Sequence, residues 1–386
     1  LERTILARIQ KKFYHLGKIM QFFDLKRQYK KFKIEIDQQI KKVLDHGQYI
    51  MGPDVFELED NLADFVNSKH AISCGSGTDA LLMSLMALNV KPGDYVLTTP
   101  FTYIATAEVI SLVGAIPVFI DIDPHTFNID IDKLEQALKQ NPNKYQVVIP
   151  VSIFGLPADF KELEKLKVKY NLKIIEDAAQ SFGSSVDGKM SCSFGDIGCT
   201  SFFPAKPLGC YGDGGSIFTD DDNLAEILKS IRIHGTGADK YHNIRVGING
   251  RLDTIQAAIL IIKLKAFSNE VELRNKVAEQ YNDNLKDSFG LQMIPSGYIS
   301  SWAQYSILCN SDSHRNSIIE KLNDKKIPNA IYYSIPLHLQ KVYEQLNYKK
   351  GDLLISEDIS SRIISLPMHP YLSSDEIDKI CNAILD

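Results

Sequence analysis

The sequence lacks a long uninterrupted hydrophobic run. No stretch approaches the roughly eighteen consecutive apolar residues that a membrane-spanning helix needs. The first 19 residues are basic, and Arg8, Lys11 and Lys12 interrupt their apolar positions, so that a signal-peptide core is missing as well. We therefore expect no membrane insertion and no secretion signal, and we predict a cytoplasmic protein.

An excess of charge of one sign is also missing. The chain has 43 lysines and arginines against 48 aspartates and glutamates, a formal net charge of -5. This balance gives no general attraction to nucleic acid or to an anionic membrane. We expect no nucleic-acid partner, and any bound anion needs a local site.

The cysteines lack the spacing of a metal site or of a disulfide framework. They show no CxxC pair and no partnering histidines, so we predict no metal site. Reduced thiols fit a cytoplasmic protein. The six cysteines are Cys74, Cys192, Cys199, Cys210, Cys309 and Cys381.

Modules in which a β-rich run precedes a helical segment recur along the first two thirds of the chain. They include HAISC before GTDALLMSLMAL, PVFIDID before IDKLEQALKQ, and QVVIPVSIFG before DFKELEKLKVKY. Strands that alternate with helices predict an α/β fold with a mainly parallel sheet covered by helices.

At 386 residues the chain exceeds the size at which a single core keeps growing, so we expect two domains. We predict a large domain over residues 20–267 and a small C-terminal α+β domain over residues 268–386. The small domain begins with a new helix, VELRNKVAEQYNDNL, after the helix NGRLDTIQAAILIIKLKAF. Residues 1–19 are predicted to be an extension outside the fold, because Met20 reads like a natural start; an extra N-terminal helix is the alternative.

The segment GSGTDAL follows a predicted strand and opens a predicted helix. Backbone N–H groups of Gly77 and Thr78 would then face outward at the positive end of the helix, where a phosphate can bind. The segment is neither a P-loop nor a GxGxxG fingerprint. A simple tight turn is the alternative.

The segment LKIIEDAA places Asp177 at the carboxyl end of a predicted strand, the edge where open α/β sheets bind ligands. A carboxylate at this edge calls for a cationic partner. The alternative is an acid that caps the next turn.

Lys206 lies between two prolines in SFFPAKPLGCYGDGG, ahead of a cluster of glycines. Pro204 and Pro207 stiffen the chain, and the glycines permit close backbone approach. A desolvated lysine can lose its proton and form a Schiff base with a carbonyl. The alternative is a structural lysine that pairs with Asp213.

The three features complement one another. A helix end suits a phosphate, an acid suits a pyridinium nitrogen, and a lysine suits an aldehyde. Together they indicate the cofactor pyridoxal 5'-phosphate.

With these residues in place, the sequence resembles the DegT family of nucleotide-sugar aminotransferases, within the fold type I (aspartate aminotransferase-like) enzymes. The resemblance extends from Gln21 to the C-terminus. Its motifs occur in order: QYIMGPDVFELE, GSGTDAL, TTPFTYIATAE, PVFIDIDPHTFNID, IPVSIFGLPAD, IIEDAAQSFGS, TSFFPAKPLGCYGDGG, VGINGRLDTIQAAIL and IYYSIPLHLQ.

The resemblance implies a role for each residue around the cofactor ring. Lys206 would form the Schiff base and, once released, move the proton between the substrate and cofactor carbons. Asp177 would pair with the pyridinium nitrogen, Gln180 would contact the ring near its hydroxyl, and Tyr103 would stack on the ring face. Tyr103 as an ordinary core aromatic is the alternative.

The resemblance also implies a phosphate site shared between subunits. Ser201 would join Gly77 and Thr78, and Asn249 would reach the phosphate of the neighbouring subunit, so the active sites would need a homodimer. The alternatives are a strand-end hydroxyl for Ser201 and a turn residue for Asn249, since Asn-Gly pairs favour turns.

Candidate substrate contacts follow from the same motifs. Arg251 would bind a carboxylate or diphosphate through its planar guanidinium. Tyr332, Tyr333 and His338 lie in IYYSIPLH, where the family often has a histidine before the tyrosine, and His338 would touch the sugar or support the loop. Arg251 as a surface group is the alternative.

The implied reaction moves an amino group from an amino acid, most often L-glutamate, to a keto-sugar nucleotide with ping-pong kinetics. The segment FPAKPLGCYGDGG favours UDP-2-acetamido-2-deoxy-3-oxo-glucuronate as the amino acceptor, in the synthesis of surface polysaccharides such as O-antigen. The alternatives are an aminotransferase for a 4-keto-6-deoxy sugar nucleotide, a related dehydratase and a non-catalytic regulator. Lys206 argues against the dehydratase, because such relatives carry a histidine at this position.

Overall fold

The computed structural model describes residues 20–239 and 241–385. The predicted N-terminal extension, residues 1–19, lies outside the described residues.

The strands are short and mostly buried. In chain order they are β1 (His70–Cys74), β2 (Tyr95–Thr98), β3 (Ile116–Phe119), β4 (Tyr145–Ile149), β5 (Lys173–Asp177), β6 (Ser185–Val186), β7 (Lys189–Met190), β8 (Ile197–Ser201), β9 (Gly215–Thr219), β10 (Gly290–Leu291), β11 (Tyr298–Ile299), β12 (Tyr305–Leu308) and β13 (Ile363–Leu366).

Two helices precede the first strand, and helices then alternate with strands along the chain. They are α1 (Leu25–His46), α2 (Pro53–Val66), α3 (Gly77–Ala87), α4 (Ala105–Leu112), α5 (Ile131–Gln140), α6 (Phe160–Tyr170), α7 (Asp222–Arg232), α8 (Thr254–Leu285), α9 (Asp312–Asp324), α10 (Leu354–Arg362) and α11 (Ser374–Leu385). Among the described residues, no helix is long and apolar enough to cross a bilayer.

The central sheet has seven strands in the order β1-β9-β8-β5-β4-β2-β3. The pairs from β8 to β3 are parallel, and β9 alone runs against its two neighbours. This confirms the predicted α/β fold with a mainly parallel sheet.

Both faces of the central sheet are covered, which explains the continuous apolar runs in its strands. Because side chains alternate along a strand, Ile174 and Ile175 enter different hydrophobic clusters on opposite faces. Val96 and Leu97 divide in the same way.

Helix α8 runs without a break through Phe267 and Ser268, where two separate helices were predicted. That prediction is wrong because no proline or glycine occurs between Thr254 and Leu285, so no residue ends the helix there. The division at 267/268 stays a prediction of domain organisation.

The C-terminal part contains a three-stranded antiparallel sheet, β10-β12-β13, and helices α9 and α11 share a core with the end of α8. A second small sheet joins the two parts of the chain, since β11 pairs with β6 of the β6–β7 hairpin.

The fold brings distant motifs to one edge of the central sheet. Strands β5 and β8 are parallel neighbours whose carboxyl ends carry Asp177 and Ser201. Helix α3 begins at Gly77, three residues after β1 ends, beside the same edge.

Candidate active site

A cavity of about 450 Å³ opens at the carboxyl edge of the sheet. This volume is typical of a small-molecule site. Most of the residues singled out in the sequence line it, namely Gly77, Thr78, Tyr103, Asp177, Gln180, Ser201, Lys206, Tyr332 and Tyr333.

The N-terminus of α3 forms one end of the cavity. Ser76 caps the helix, and its Oγ accepts a hydrogen bond of 3.0 Å from the backbone N–H of Asp79. A Cβ added to Gly77 would lie 2.7 Å from the Cβ of Ser201, so only glycine lets β8 approach the helix end this closely. The predicted helix start is confirmed, and the helix end faces a hydroxyl-bearing residue.

Asp177 is a buried carboxylate held by two donors. Thr106 Oγ1 donates a hydrogen bond of 2.7 Å to Oδ2, and the backbone N–H of Ala179 donates one of 3.1 Å to Oδ1. Burial raises the pKa of Asp177, while these donors and the charge of Lys206 act in the opposite direction. A cation placed against this carboxylate would favour its ionised form.

Lys206 projects into the same cavity from a tight turn, in which its backbone N–H donates to the carbonyl of Phe203 at 2.8 Å. Burial lowers the pKa of Lys206 to about 8, and Asp177 opposes that shift. Within residues 20–239 and 241–385, its ammonium forms no salt bridge with Asp213, so the structural alternative is not supported.

Gln180 links the cavity wall to the loop that carries the two tyrosines. Its Oε1 accepts a hydrogen bond of 2.8 Å from the backbone N–H of Phe154, and its Nε2 donates one of 3.0 Å to the hydroxyl of Tyr333. These bonds fix the orientation of the amide. Burial raises the pKa of Tyr333, which therefore stays protonated at neutral pH.

Asn249 and Arg251 do not line the cavity. Asn249 is exposed, and its Oδ1 accepts hydrogen bonds from Arg251 Nε at 3.0 Å and from Arg251 Nη2 at 2.6 Å.

His338 also lies outside the cavity lining. It is buried, with its Nε2 3.1 Å from Oε1 of Glu357. This position fits support of the loop rather than contact with a sugar.

The cavity lining includes residues that the sequence did not single out, among them Thr106, Phe203 and Gln304. Thr106 and Phe203 lie inside quoted motifs, where no local pattern distinguishes them. The available signal for Gln304 was a polar residue directly before the strand YSIL.

The lining fits pyridoxal phosphate in three respects. The N-terminus of α3, which lies against β8, is available for a phosphate. The buried carboxylate of Asp177 is available for a ring cation, and Lys206, whose pKa is lowered, is available for an aldehyde. The described residues contain no group of three or more histidine, cysteine or acidic side chains that could hold a metal ion.

Comparison with known proteins identifies a family that covers nearly all of the described chain. The DegT/DnrJ/EryC1/StrS aminotransferase family matches residues 30–385. A curated relative, the UDP-2-acetamido-2-deoxy-3-oxo-D-glucuronate aminotransferase of Pseudomonas aeruginosa, is 48% identical over 367 residues, which cover 95% of this chain and 99% of the relative.

Solved structures give the same result. A DegT DnrJ EryC1 StrS aminotransferase from Brucella abortus is 45% identical with a TM-score of 0.91, covering 95% of this chain and 98% of that one. The PLP form of a sugar aminotransferase from Streptococcus pneumoniae, described as putative, is 26% identical with a TM-score of 0.84, covering 91% and 95%.

Proposed function

The chain belongs to the DegT/DnrJ/EryC1/StrS aminotransferase family, and from this premise we propose that it transfers the amino group of L-glutamate to UDP-2-acetamido-2-deoxy-3-oxo-glucuronate. That the chain is a pyridoxal phosphate-dependent aminotransferase follows from the family and its solved members. The sugar is supported by the name of the Pseudomonas aeruginosa relative, which covers nearly the whole chain.

The observation that carries the reaction class is Lys206, which lies in one cavity with Asp177 and the N-terminus of α3. Bound pyridoxal phosphate supplies an aldehyde and an electron-withdrawing ring that stabilises negative charge at the reacting carbon. A base works best when its pKa lies near the working pH, and the pKa of Lys206 is about 8. We assign proton movement at the reacting carbon to Lys206 Nζ.

The remaining lining residues would hold and orient the cofactor. Asp177 would bind the ring nitrogen through its carboxylate, and Gln180, fixed by Phe154 and Tyr333, would lie at the ring edge. Tyr103 would cover one face of the ring, in keeping with its position in the lining and its 59% exposure in the single chain.

Gly77, Thr78 and Ser201 would bind the phosphate. The N-terminus of α3 offers unpaired backbone donors and a positive dipole end, and Ser201 adds a hydroxyl. The close contact between Gly77 and Ser201 brings these donors together.

We also propose a homodimer with shared active sites. Tyr103 and Phe203 line the cavity mouth and are each more than half exposed, and Val246 beside the Asn249 segment is 82% exposed. Such apolar exposure is typical of an interface. A partner subunit there would bring its Asn249 and Arg251 to the phosphate and substrate.

We place the enzyme in the cytoplasm and its product in surface polysaccharide synthesis. All six cysteines are buried and free, which suits a reducing compartment. The product, a 3-amino sugar uronate, would be a building block for surface glycans such as O-antigen.

The test is a single-turnover reaction of the purified holoenzyme with L-glutamate, followed by the visible absorbance of the bound cofactor. The wild type should lose this absorbance on addition of L-glutamate. Lys206→Arg keeps a cation of similar size but should not convert the cofactor, because an arginine keeps its proton. An unchanged wild-type spectrum would contradict the proposed donor, and conversion by the variant would contradict the role of Lys206.

A further inference from the structure

Gln304 is a buried amide in the cavity wall with an unsatisfied acceptor. The residue is 8% exposed, lines the cavity, and its Oε1 has no hydrogen-bond partner. A buried acceptor without a partner costs free energy, so that a group bound in the cavity gains by supplying a donor.

The backbone around Gln304 is docked on the same loop that orients Gln180. The N–H of Gln304 donates to the carbonyl of Phe154 at 3.4 Å, while the N–H of Phe154 donates to Gln180 at 2.8 Å. Ser301 Oγ also donates to the carbonyl of Gln180 at 3.0 Å. Gln304 is therefore held in a fixed position relative to the proposed cofactor site.

The cavity offers few groups for a substrate carboxylate. Among the residues that the structure describes in its lining, Lys206 is the one cationic side chain, and the proposed function commits it to the cofactor. Apart from the Arg251 that a second copy would bring, the α-carboxylate of L-glutamate would thus depend on neutral donors in the wall of this chain.

The two proposed substrates differ next to the reacting carbon. In L-glutamate this carbon carries a carboxylate, which accepts hydrogen bonds. In the 3-keto sugar its neighbours carry a hydroxyl and an acetamido group, both of which can donate. An amide has two N–H donors and one acceptor oxygen, and its terminal torsion is broad.

We propose that Gln304 is a specificity-determining residue that forms hydrogen bonds with both substrates next to the reacting carbon. Its Nε2 donates to the carboxylate of the amino donor in one half-reaction. Its Oε1 accepts from a hydroxyl or amide N–H of the keto-sugar nucleotide in the other. This assignment rests on the proposed function, because it requires that one cavity serve both substrates in turn.

The first test is Gln304→Met, which keeps the length of the side chain and removes its polar atoms. Because each kcat/KM in a ping-pong reaction reports one half-reaction, the values are measured separately for L-glutamate and for the UDP-linked 3-amino sugar uronate with 2-oxoglutarate. Both should fall about 10-fold or more, the usual effect of a lost hydrogen bond to substrate.

Gln292→Met is the matched control. Gln292 is 6% exposed and its Oε1 also has no partner, but it does not line the cavity, and its Nε2 donates to the carbonyl of Thr126. This variant should leave both kcat/KM values within about 2-fold of wild type, since Gln292 does not line the cavity in which the substrates would react.

Gln304→Glu separates the two half-reactions. At the high-pH end of the active range, the introduced carboxylate should repel the carboxylate of L-glutamate but still accept from the sugar hydroxyl. We expect kcat/KM for L-glutamate to fall about 100-fold, and that for the amino sugar to fall much less.

The outcomes distinguish this proposal from the function on which it rests. A wild type that converts neither substrate contradicts the proposed function. If the wild type is active, the role of Gln304 is contradicted when Gln304→Met keeps both kcat/KM values or loses only one of them. It is also contradicted when Gln292→Met shows the same losses, or when Gln304→Met only binds pyridoxal phosphate more weakly. An equal loss for both substrates in Gln304→Glu contradicts it as well.

Discussion

Lys206 and Asp177 show how burial sets the chemistry of single side chains in this site. Burial lowers the pKa of Lys206 and raises that of Asp177, and the opposite charge of each partly restores the ionised form of the other. A lysine with a pKa of about 8 is partly neutral near physiological pH, which an isolated lysine is not.

Replacing Asp177 by asparagine should lower the pKa of Lys206 further below about 8, because a favourable negative charge is removed while burial stays. The measurement is the pH dependence of Lys206 acylation in the cofactor-free protein, quantified by peptide mass spectrometry. Thr106→Val, which removes a donor to Asp177 but keeps its charge, should shift the midpoint less. A midpoint that stays or rises in Asp177→Asn would contradict this electrostatic coupling.

Among the helices and strands, Asp121 connects the central sheet to helix α10. Its carboxylate accepts hydrogen bonds from the backbone N–H groups of Ile355 and Ser356 at 3.0 and 2.9 Å, and from the hydroxyl of Ser356 at 2.6 Å. Acids at a helix N-terminus are stabilising because they satisfy orphan donors there. One side chain thus ties the two parts of the chain together.

Asp121→Asn should destabilise the fold by about 1–3 kcal/mol, since buried donors lose a charged partner. Burial alone would raise the pKa of Asp121, but the bonds from Ser356 and Ile355 outweigh it and lower the pKa. The wild-type contribution is therefore complete above the unfolded pKa of about 3.9 and is lost as pH falls through the lower folded value.

Urea denaturation at neutral and acidic pH measures this contribution. Asp132→Asn is the control, because Asp132 is an exposed acid in the first turn of α5. The difference between wild type and Asp121→Asn should shrink at acidic pH, and a difference that grows there would contradict the assignment.

Local patterns were sufficient for most strands of the central sheet, for the start of α3 and for the candidate residues Asp177 and Lys206. Asp177 ends an apolar run, and Gly77 and Lys206 lie among glycines and prolines, so the chain marks these positions itself, whereas Ser201 was implied only by the family resemblance. Gln304 and Asp121 carry no such mark, because their importance arises from contacts with residues far away in sequence. The apolar face of helix α8 changes from one hydrophobic cluster to another between Val271 and Val277 although the backbone continues, so a change of packing partner does not require a helix end.

For the molecule as a whole, the position of Asn249 bears directly on the proposed assembly. It is exposed, hydrogen-bonded to Arg251, and absent from the cavity lining of its own chain. This position is consistent with the proposal that Asn249 serves the site of a second copy. Symmetric dimers with self-complementary interfaces provide such an arrangement twice.

Coexpression of Lys206→Ala with Asn249→Ala should therefore restore activity that each variant lacks alone. In a dimer of one copy each, one site has both residues intact, so random pairing should give about a quarter of wild-type activity. Lys206→Ala with Asp177→Asn is the control and should stay inactive, since both residues line one cavity. No recovery in the first pair would contradict action of Asn249 across the dimer.

The most direct test of the central claim is transfer of nitrogen from L-glutamate labelled at its amino group, followed by mass spectrometry of the sugar nucleotide. With UDP-2-acetamido-2-deoxy-3-oxo-glucuronate as acceptor, the holoenzyme should place the label on the sugar, and Lys206→Ala should not. Label that appears only on a 4-keto-6-deoxy sugar nucleotide, or on no sugar at all, would contradict the account.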